Sequence, residues 1–426
     1  MIRRILVEGG GFTLLNIGDA AMLKVAVTRL TELWPHATIE VLTTNPDKLR
    51  DFCPSAVPIA IDAREAWLSG RSLTNRFRRI LPSRVSTLLE SLEQKLWLRF
   101  PALNDLEINL RARALGKSLP AAPASFRKLL LEADLLVICG GGFINDCFAK
   151  GACDLLDELT AVLKAGVPVV AFGQGIGPMT NPVLMAKARA VLPRLDMIGL
   201  REGHSSLPIL ESIGVPRDRI SVTGDDAIEL AFERRPSSLG DAIGVNLRFA
   251  DYAGTDQTTA DKLREPLRRA AQSLGSCLAP VIISFHQERD SDVEAMNSLL
   301  DGQIHNSEAL IESPENVIRL IGKCRVVVTG SYHAAVFALG QGVPVVGLSQ
   351  SDYYEQKFTG LQKLFPGGCS IIDFRQPTTS SEIEDAIHKA WDAAERVRDS
   401  LLEAAARQVE FGRALYQAVH ARFPLE

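Results

Sequence analysis

The sequence lacks several features that would place it in a protein class at once. No apolar run approaches the roughly 20 residues of a membrane-spanning helix, and the opening MIRRILVEGGG has no small-residue cleavage site of a signal peptide. The seven cysteines form no C-x-x-C pair, and no histidine stands at zinc-ligand spacing from them. We therefore expect a cytoplasmic protein with reduced thiols, no bound metal and no nucleic-acid partner.

Nucleotide-binding fingerprints are also missing. The GGGFIND segment at 140–146 does not match G-x-G-x-x-G, and G-x-x-x-x-G-K-[ST] does not occur. Several predicted strands nevertheless end in glycine, so a ligand could approach the backbone at one sheet edge. These patterns predict a ligand cleft but do not support dinucleotide or ATP chemistry, and we expect no cofactor.

The chain has 426 residues, of which 46% are hydrophobic and 23% charged, enough for two sizeable cores. Apolar β-branched runs alternate with helical patterns, which predicts parallel, doubly wound sheets. Charge, proline, serine and glycine cluster in ELAFERRPSSLGDA, which indicates a domain boundary. The predicted fold is α/β, with two doubly wound Rossmann-like domains (1–235 and 240–380) facing a cleft in a GT-B-like arrangement, and with C-terminal helices (381–426) packed on them.

One segment differs from the rest in charge. Residues 64–128 carry 13 Lys and Arg against 5 Asp and Glu, a surplus of +8, while the whole chain has a net charge of -4. The segment also contains a helical pattern with an apolar face flanked by arginines. Such a basic amphipathic insertion is typical of attachment to an anionic membrane surface, but also of a helical insertion docked on its own domain.

The stretch from Val326 to Leu348 combines a buried strand, a turn, a helix and a second strand. Gly330 ends the first strand, and the sequence passes directly into helical spacing with His333 at the turn. Ligands of open α/β sheets bind beyond the carboxyl ends of the strands, where helix N-termini favour anions. We interpret His333 as a catalytic residue that accepts a proton, although a histidine packed under a loop is an alternative.

Other polar residues are expected at the same rim. Arg248 ends the strand AIGVNLR, and PVIISFHQERDSD is expected to be a strand that carries His286 and Arg289. Asp225 and Asp226 stand at the domain junction, where they could bind ligand hydroxyls or act as acid, or simply cap a helix. Surface salt bridges are the alternative for the arginines.

Six motifs occur in a fixed order: NIGDAAML (16–23), CGGGF (139–143), FGQGIGP (172–178), LRE (200–202), TGDDAIEL (223–230), and SYHAAVFALGQGVPVV (331–346) followed by Lys357. Their order and spacing resemble the polysaccharide pyruvyl transferase family over most of the chain, except residues 64–128. The resemblance implies a GT-B-like fold. It further implies transfer of pyruvate from phosphoenolpyruvate to two hydroxyls of a sugar, which leaves a cyclic ketal and phosphate.

The acceptor implied is a bacterial exopolysaccharide or its lipid-linked precursor. The substrate-binding residues predicted on this basis, besides those at the strand ends, are Asn16, Gly18, Asp19, Gly141, Gly142, Gly175, Arg201, Ser331, Tyr332 and Lys357.

One position departs from the family. Its members usually carry R-x-H in the last motif, whereas this chain has Ser331, Tyr332 and His333. Loss of one bidentate contact to an anion should cost about 1.5 to 3 kcal/mol unless another group replaces it. Either Arg248 or Arg289 substitutes, or the donor differs. A nucleotide-sugar glycosyltransferase of GT-B shape and a catalytically idle relative therefore stay as alternatives.

Overall fold

The computed structural model describes residues 2–62, 64, 123–286, 291–302 and 313–424. The insertion predicted over 64–128 lies almost entirely outside these residues, and so does Arg289. The described residues form two sheets in which all strand pairs are parallel. Helices cover the sheets, so the predicted α/β architecture of two doubly wound halves is confirmed.

The first sheet has the order β3-β2-β1-β4-β6-β7-β8, and β5 pairs with the second half of β6. Its strands are β1 (Arg4–Glu8), β2 (Thr38–Thr43), β3 (Ala56–Ala60), β4 (Leu135–Ile138), β5 (Gly141–Ile144), β6 (Val169–Ile176), β7 (Met197–Leu200) and β8 (Ile220–Val222). The helices around it are α1 (Ile17–Leu33), α2 (Pro46–Phe52), α3 (Pro123–Leu131), α4 (Ala149–Lys164), α5 (Pro182–Val191), α6 (Ser206–Ser212) and α7 (Ala227–Glu233).

The second sheet has the order β10-β9-β11-β12-β13. Its strands are β9 (Ala242–Asn246), β10 (Leu278–Pro280), β11 (Cys324–Thr329), β12 (Val345–Ser349) and β13 (Cys369–Asp373). The helices are α8 (Gln257–Ser273), α9 (Asp292–Leu299), α10 (Pro314–Ile321), α11 (Tyr332–Gly340) and α12 (Asp352–Leu364). The strand, turn and helix predicted around His333 are therefore β11 and α11, both buried between neighbouring elements.

The C-terminal segment is one continuous helix, α13 (Ser380–Arg422), where the sequence predicted several. It begins with a capping box of Thr379 and Glu382, in which each side chain bonds the other residue's backbone N–H. Its apolar face packs on helices of both halves: Tyr416 stacks on Phe172 of the first sheet, with ring centroids 3.7 Å apart. The uninterrupted spacing of its buried residues explains the single helix, since no proline or glycine turn breaks it.

The segment after β10 differs from the predicted strand. Only Leu278–Pro280 pair within the sheet. Beyond them, the backbone of 283–285 bonds across the cleft: Ile17 N donates to Ile283 O at 2.8 Å, and Phe285 N donates to Leu15 O at 2.9 Å. The Asp292 carboxylate of the same half accepts from the Ile283 and Ser284 N–H groups at 2.7 and 3.0 Å, so the backbone of this segment is satisfied partly by Asp292 and partly by the other half of the protein.

No helix within the described ranges is long and apolar enough to span a membrane.

Candidate active site

A cavity of about 210 Å³ lies between the two halves, at the carboxyl ends of their strands. Residues from both halves line it, as expected for a ligand site of a doubly wound fold. Most residues predicted from the sequence meet there: Asn16, Asp19, Gly142, Arg201, Arg248, His286, Ser331, Tyr332, His333 and Lys357.

His333 is in the first turn of α11 and faces Asp225 across the domain junction. Its Nε2 lies 3.7 Å from Asp225 Oδ2, within ion-pair distance. The other carboxylate oxygen of Asp225 accepts a hydrogen bond of 2.9 Å from the Ala227 N–H. Burial by itself would raise the pKa of Asp225, but His333, Arg201 and the Ala227 N–H together hold it below its ordinary value. Asp225 is therefore a buried carboxylate that faces the His333 imidazole.

The N-terminus of α1 reaches the same imidazole from the other half. The Asn16 side chain caps α1 by accepting from the Gly18 and Asp19 N–H groups, at 3.0 and 3.4 Å. This cap confirms the predicted helix start. A Cβ atom at Gly18 would overlap the His333 ring, so only glycine allows this approach. Gly18 is therefore a packing surface for the imidazole and does not line the cavity.

Arg201 follows β7 and is buried between backbone and an aromatic ring. Its guanidinium lies 4.2 Å from the Tyr332 ring centroid and 4.0 Å from Asp225 Oδ2. Gly142 and Gly175 lie against the guanidinium, and a Cβ atom at either would overlap it. Two of the predicted glycines thus make room for an arginine that lines the cavity. Its Nε has no hydrogen-bond partner among the described residues.

Arg248 follows β9 and is held by the carboxylate of Asp292. Its Nε donates to Asp292 Oδ1 at 2.6 Å, and Nη1 donates to the hydroxyl of Tyr252 at 3.3 Å. Asp292 also accepts from Asn246 Nδ2 at 2.7 Å, which fixes the carboxylate. Nη2 is buried and, within the part of the chain that the structure describes, has no partner. Arg248 is therefore positioned to offer a free donor to a ligand in the cavity.

Lys357 extends from α12 into the cavity among aromatic rings. Its Nζ lies 3.7 Å from the ring centroid of Tyr353 and 5.0 Å from that of Tyr354. Burial lowers its pKa well below 10.5, and repulsion by Arg201 and Arg248 lowers it further. An anion between these three cations would reverse the repulsion and favour the protonated amine.

Comparison with known proteins identifies the family of this chain. The family model described as polysaccharide pyruvyl transferase matches residues 16–352, most of the chain. The chain belongs to the polysaccharide pyruvyl transferase family. It is thus an enzyme of a transferase family, and the match spans the site residues from Asn16 to His333; Lys357 follows it closely. None of the curated proteins compared with the chain matches it significantly.

Solved structures share the fold of this transferase at low identity. The MnaA–UDP structure from S. aureus has a TM-score of 0.58 at 12% identity, covering 99% of this chain and 97% of that one. The UDP-GlcNAc 2-epimerase of Neisseria meningitidis, bound to UDP-GlcNAc, has a TM-score of 0.56 at 10% identity, covering 99% of this chain and 100% of that one. A glycosyltransferase of Rickettsia africae has a TM-score of 0.53 at 10% identity, covering 99% of this chain and 98% of that one. These likenesses confirm the GT-B-like fold class and show nothing further.

Not every predicted residue is brought to the cavity of the transferase. Asp226 points away from it: Arg29 Nη1 donates to Asp226 Oδ1 at 2.7 Å, and the Tyr416 hydroxyl donates to Oδ2 at 2.9 Å. Both oxygens are thereby occupied in packing between α1 and α13, which corrects the prediction that the two adjacent aspartates share one role. Gly141 packs against the ring of Phe143 and lies outside the lining.

The aromatic residues of the cavity other than Tyr332 were not predicted from the sequence. Tyr353 and Tyr354 lie in the first turn of α12, just after β12. Because β12 ends at the same side of the sheet as the strand before His333, residues that follow it could have been predicted to line the cavity. The Tyr353 hydroxyl donates to Gly142 O at 2.7 Å and so links the two halves. The other lining residues that were missed are Gly10, Phe143, Phe148 and Tyr252.

Proposed function

We propose that this transferase moves a pyruvyl group from phosphoenolpyruvate to two hydroxyls of a sugar in a bacterial exopolysaccharide or its lipid-linked precursor. One observation carries the proposal: Arg201, Arg248 and Lys357 converge with His333 on one cavity between the halves. Phosphoenolpyruvate brings a phosphate and a carboxylate, so three cations facing a small cavity match its charge.

The arginines supply the donors that the altered R-x-H motif removes. Ser331 lines the cavity where the family usually has arginine. Arg248 Nη2 and Arg201 Nε are both buried without partners among the residues described, so each is left with an unmet donor that an anion would satisfy. A charge-assisted bond of this kind contributes about 1.5 to 3 kcal/mol. Of the two arginines considered as replacements for the missing arginine of the motif, Arg248 lines the cavity, and Arg289 lies outside the described residues.

The chemistry follows from the substrate and the His333–Asp225 pair. The methylene carbon of phosphoenolpyruvate takes up the proton that the first sugar hydroxyl gives up by way of His333, and the neighbouring carbon becomes electrophilic. A sugar hydroxyl adds there and loses its proton to His333, whose imidazolium Asp225 stabilises at 3.7 Å. The second hydroxyl then displaces phosphate, which leaves with that hydroxyl's proton. All groups that the steps require are side chains, and phosphoenolpyruvate is a co-substrate, so the proposal includes no cofactor.

Calorimetry with two donors tests the proposal. Phosphoenolpyruvate should bind and UDP-GlcNAc should not, since the site is small and built around cations. Binding of UDP-GlcNAc alone would favour a nucleotide-sugar glycosyltransferase instead, and binding of neither would favour an idle relative.

We further propose that the basic segment 64–128 brings the enzyme to an anionic membrane surface, where a lipid-linked acceptor resides. The support is its surplus of +8 charges in the sequence. Flotation with vesicles containing phosphatidylglycerol at low salt tests this, because screening is weakest there. If the protein does not float with these vesicles, the segment is a structural insertion and does not bind the membrane.

A further inference from the structure

Four aromatic rings form a wall at one side of the cavity, defined by Phe148, Tyr252, Tyr353 and Tyr354. The Phe148 and Tyr252 centroids are 5.4 Å apart, and each ring is 6.3 Å from that of Tyr353. Tyr252 and Tyr354 are nearly parallel, with 14° between their planes. Arg248 and Lys357 lie directly against these rings, since Arg248 Nη1 donates to the Tyr252 hydroxyl and Lys357 Nζ lies 3.7 Å from the Tyr353 ring centroid.

The outermost ring of this wall is unusually exposed for its size. Phe148 has 37% of its surface exposed, one of few large apolar side chains in the described residues that remain open to solvent. Burying such a ring is normally favourable. An exposed phenylalanine at the mouth of a cavity is therefore a surface that a ligand can cover.

The turn that carries Phe148 is firmly held. Asn145 Oδ1 accepts from the Phe148 N–H at 3.1 Å, and Asn145 Nδ2 donates to Gly142 O at 2.6 Å. The Asp146 carboxylate accepts from the Thr180 N–H and hydroxyl, both at 2.7 Å, and from the Asn181 N–H at 3.0 Å. The ring is thus presented by a fixed backbone, which lowers the entropy that binding would cost.

The facing ring comes from the other half of the protein. Tyr252 lies in the short turn Asp251–Ala253, and its hydroxyl accepts from Arg248 Nη1 at 3.3 Å. The pair Phe148 and Tyr252 therefore exists only when the halves are together. It also stands directly beside Arg248, which the proposed function assigns to the anionic donor.

We propose that Phe148 and Tyr252 form the acceptor platform, on which the C–H face of a pyranose ring lies. A pyranose has an apolar face of C–H bonds and an edge of hydroxyls, and aromatic rings bury the former while leaving the latter free. The planes of the two rings are inclined by 59°, so the sugar stacks on the exposed ring of Phe148 with Tyr252 at its side. In this position it directs its hydroxyl edge into the cavity, toward the donor and His333. The platform deepens the proposed function and rests on it, since it assigns the acceptor side of the same cavity to a pyranose.

Two measurements on the full chain test the platform. Saturation-transfer NMR with a panel of methyl hexopyranosides, in the presence of phosphoenolpyruvate, reports contact between sugar C–H groups and aromatic protons. Kinetics with any turned-over acceptor separates its KM from kcat. Phe148→Ala should weaken pyranoside binding roughly tenfold, raise the acceptor KM similarly, and leave phosphoenolpyruvate affinity unchanged. Phe148→Tyr should restore binding.

Phe411→Ala is the matched control, because Phe411 is 54% exposed on α13, away from the cavity. It should bind pyranosides like the parent. Tyr252→Phe keeps the ring and removes the hydroxyl that accepts from Arg248, so pyranoside binding should persist.

The outcomes distinguish the platform from the donor assignment. Pyranoside binding that depends on Phe148 in a protein that ignores phosphoenolpyruvate would support the platform and overturn the proposed donor. If phosphoenolpyruvate binds but no pyranoside shows transfer, or if Phe148→Ala binds the pyranosides like the parent, the platform is wrong.

Discussion

Nε2 of His333 lies 3.7 Å from Oδ2 of Asp225, and both atoms are buried without a hydrogen-bond partner in the described ranges. The two residues belong to different halves of the protein, since Asp225 follows β8 and His333 begins α11. A base assembled this way is complete only when the halves are in contact. The proposed proton transfer therefore depends on the same contact between the halves that brings Arg201 and Arg248 to one cavity.

Substitution of the two adjacent aspartates should have opposite effects. Asp225→Asn removes the charge that stabilises the His333 imidazolium, so we expect kcat per folded molecule to fall by roughly 10²-fold or more. Asp226→Asn weakens the partner of buried Arg29, so we expect stability to fall, by up to about 3 to 5 kcal/mol for a buried pair, while activity per folded molecule persists. Urea unfolding and kcat on one preparation of each variant provide the comparison.

The reverse pattern, an active Asp225→Asn and a stable but inactive Asp226→Asn, would show that the catalytic carboxylate has been assigned to the wrong residue.

Arg248→Ala should weaken binding of phosphoenolpyruvate by about 1.5 to 3 kcal/mol, because it removes the buried donor Nη2. Arg268→Ala is a suitable control, since Arg268 is on the exposed face of α8 and pairs only with Glu265 among described residues. Titration calorimetry measures both. If Arg248→Ala and Arg289→Ala each bind phosphoenolpyruvate like the parent, neither arginine replaces the one missing from the motif, and a different donor becomes the better interpretation.

Much of this site could be predicted from the sequence, because it depends on strand ends and glycines. Gly330 follows β11 of the second sheet, whereas Gly142 lies in β5 and Gly175 near the carboxyl end of β6, both in the first sheet. The fold brings the carboxyl ends of the two sheets together at the cavity. The role of Asp226 could not be predicted, since Arg29 and Tyr416 are its partners over sequence separations of 197 and 190 residues. The segment after β10 was wrongly predicted to continue as a strand for the same reason, because part of its backbone bonds to Leu15 and Ile17 of the other half.

Gly18→Ala should reduce turnover strongly, because the added Cβ would overlap the His333 imidazole and displace it. Gly151→Ala is the matched control: Gly151 lies in α4, and a Cβ there meets nothing within 4 Å. The control should keep full activity and gain up to about 1 kcal/mol of stability, since alanine is the better helix residue. Phosphate release and thermal unfolding measure the two effects. Equal activity of both variants would mean that the position of the imidazole does not limit the rate.

Lys357 should link phosphoenolpyruvate binding to proton uptake. Its pKa is well below 10.5 in the free protein because of burial and the neighbouring arginines, and a bound anion raises it again. Above the lowered pKa, binding should therefore take up protons, and affinity should fall as pH rises. Calorimetry in buffers of different ionisation enthalpy detects the uptake, which Lys357→Met should reduce.

The same shift predicts a pH dependence of stability. Between the lowered pKa and 10.5, the unfolded chain binds a proton on Lys357 that the folded protein lacks, so the free energy of unfolding rises with pH in this window. Lys357→Met should flatten that rise. Identical pH profiles for parent and variant would contradict the lowered pKa.

The central claim is that His333 drives ketal formation from phosphoenolpyruvate. The most direct measurement follows phosphate release together with the mass of the acceptor product, in the parent and in His333→Ala, alongside their melting temperatures. We predict that the parent releases one phosphate for each carboxyethylidene group it adds to the acceptor, and that His333→Ala loses roughly 10² to 10⁴-fold in rate while melting like the parent. A His333→Ala protein that melts early yet keeps the parental rate per folded molecule would contradict the account, and so would phosphate release without the added group.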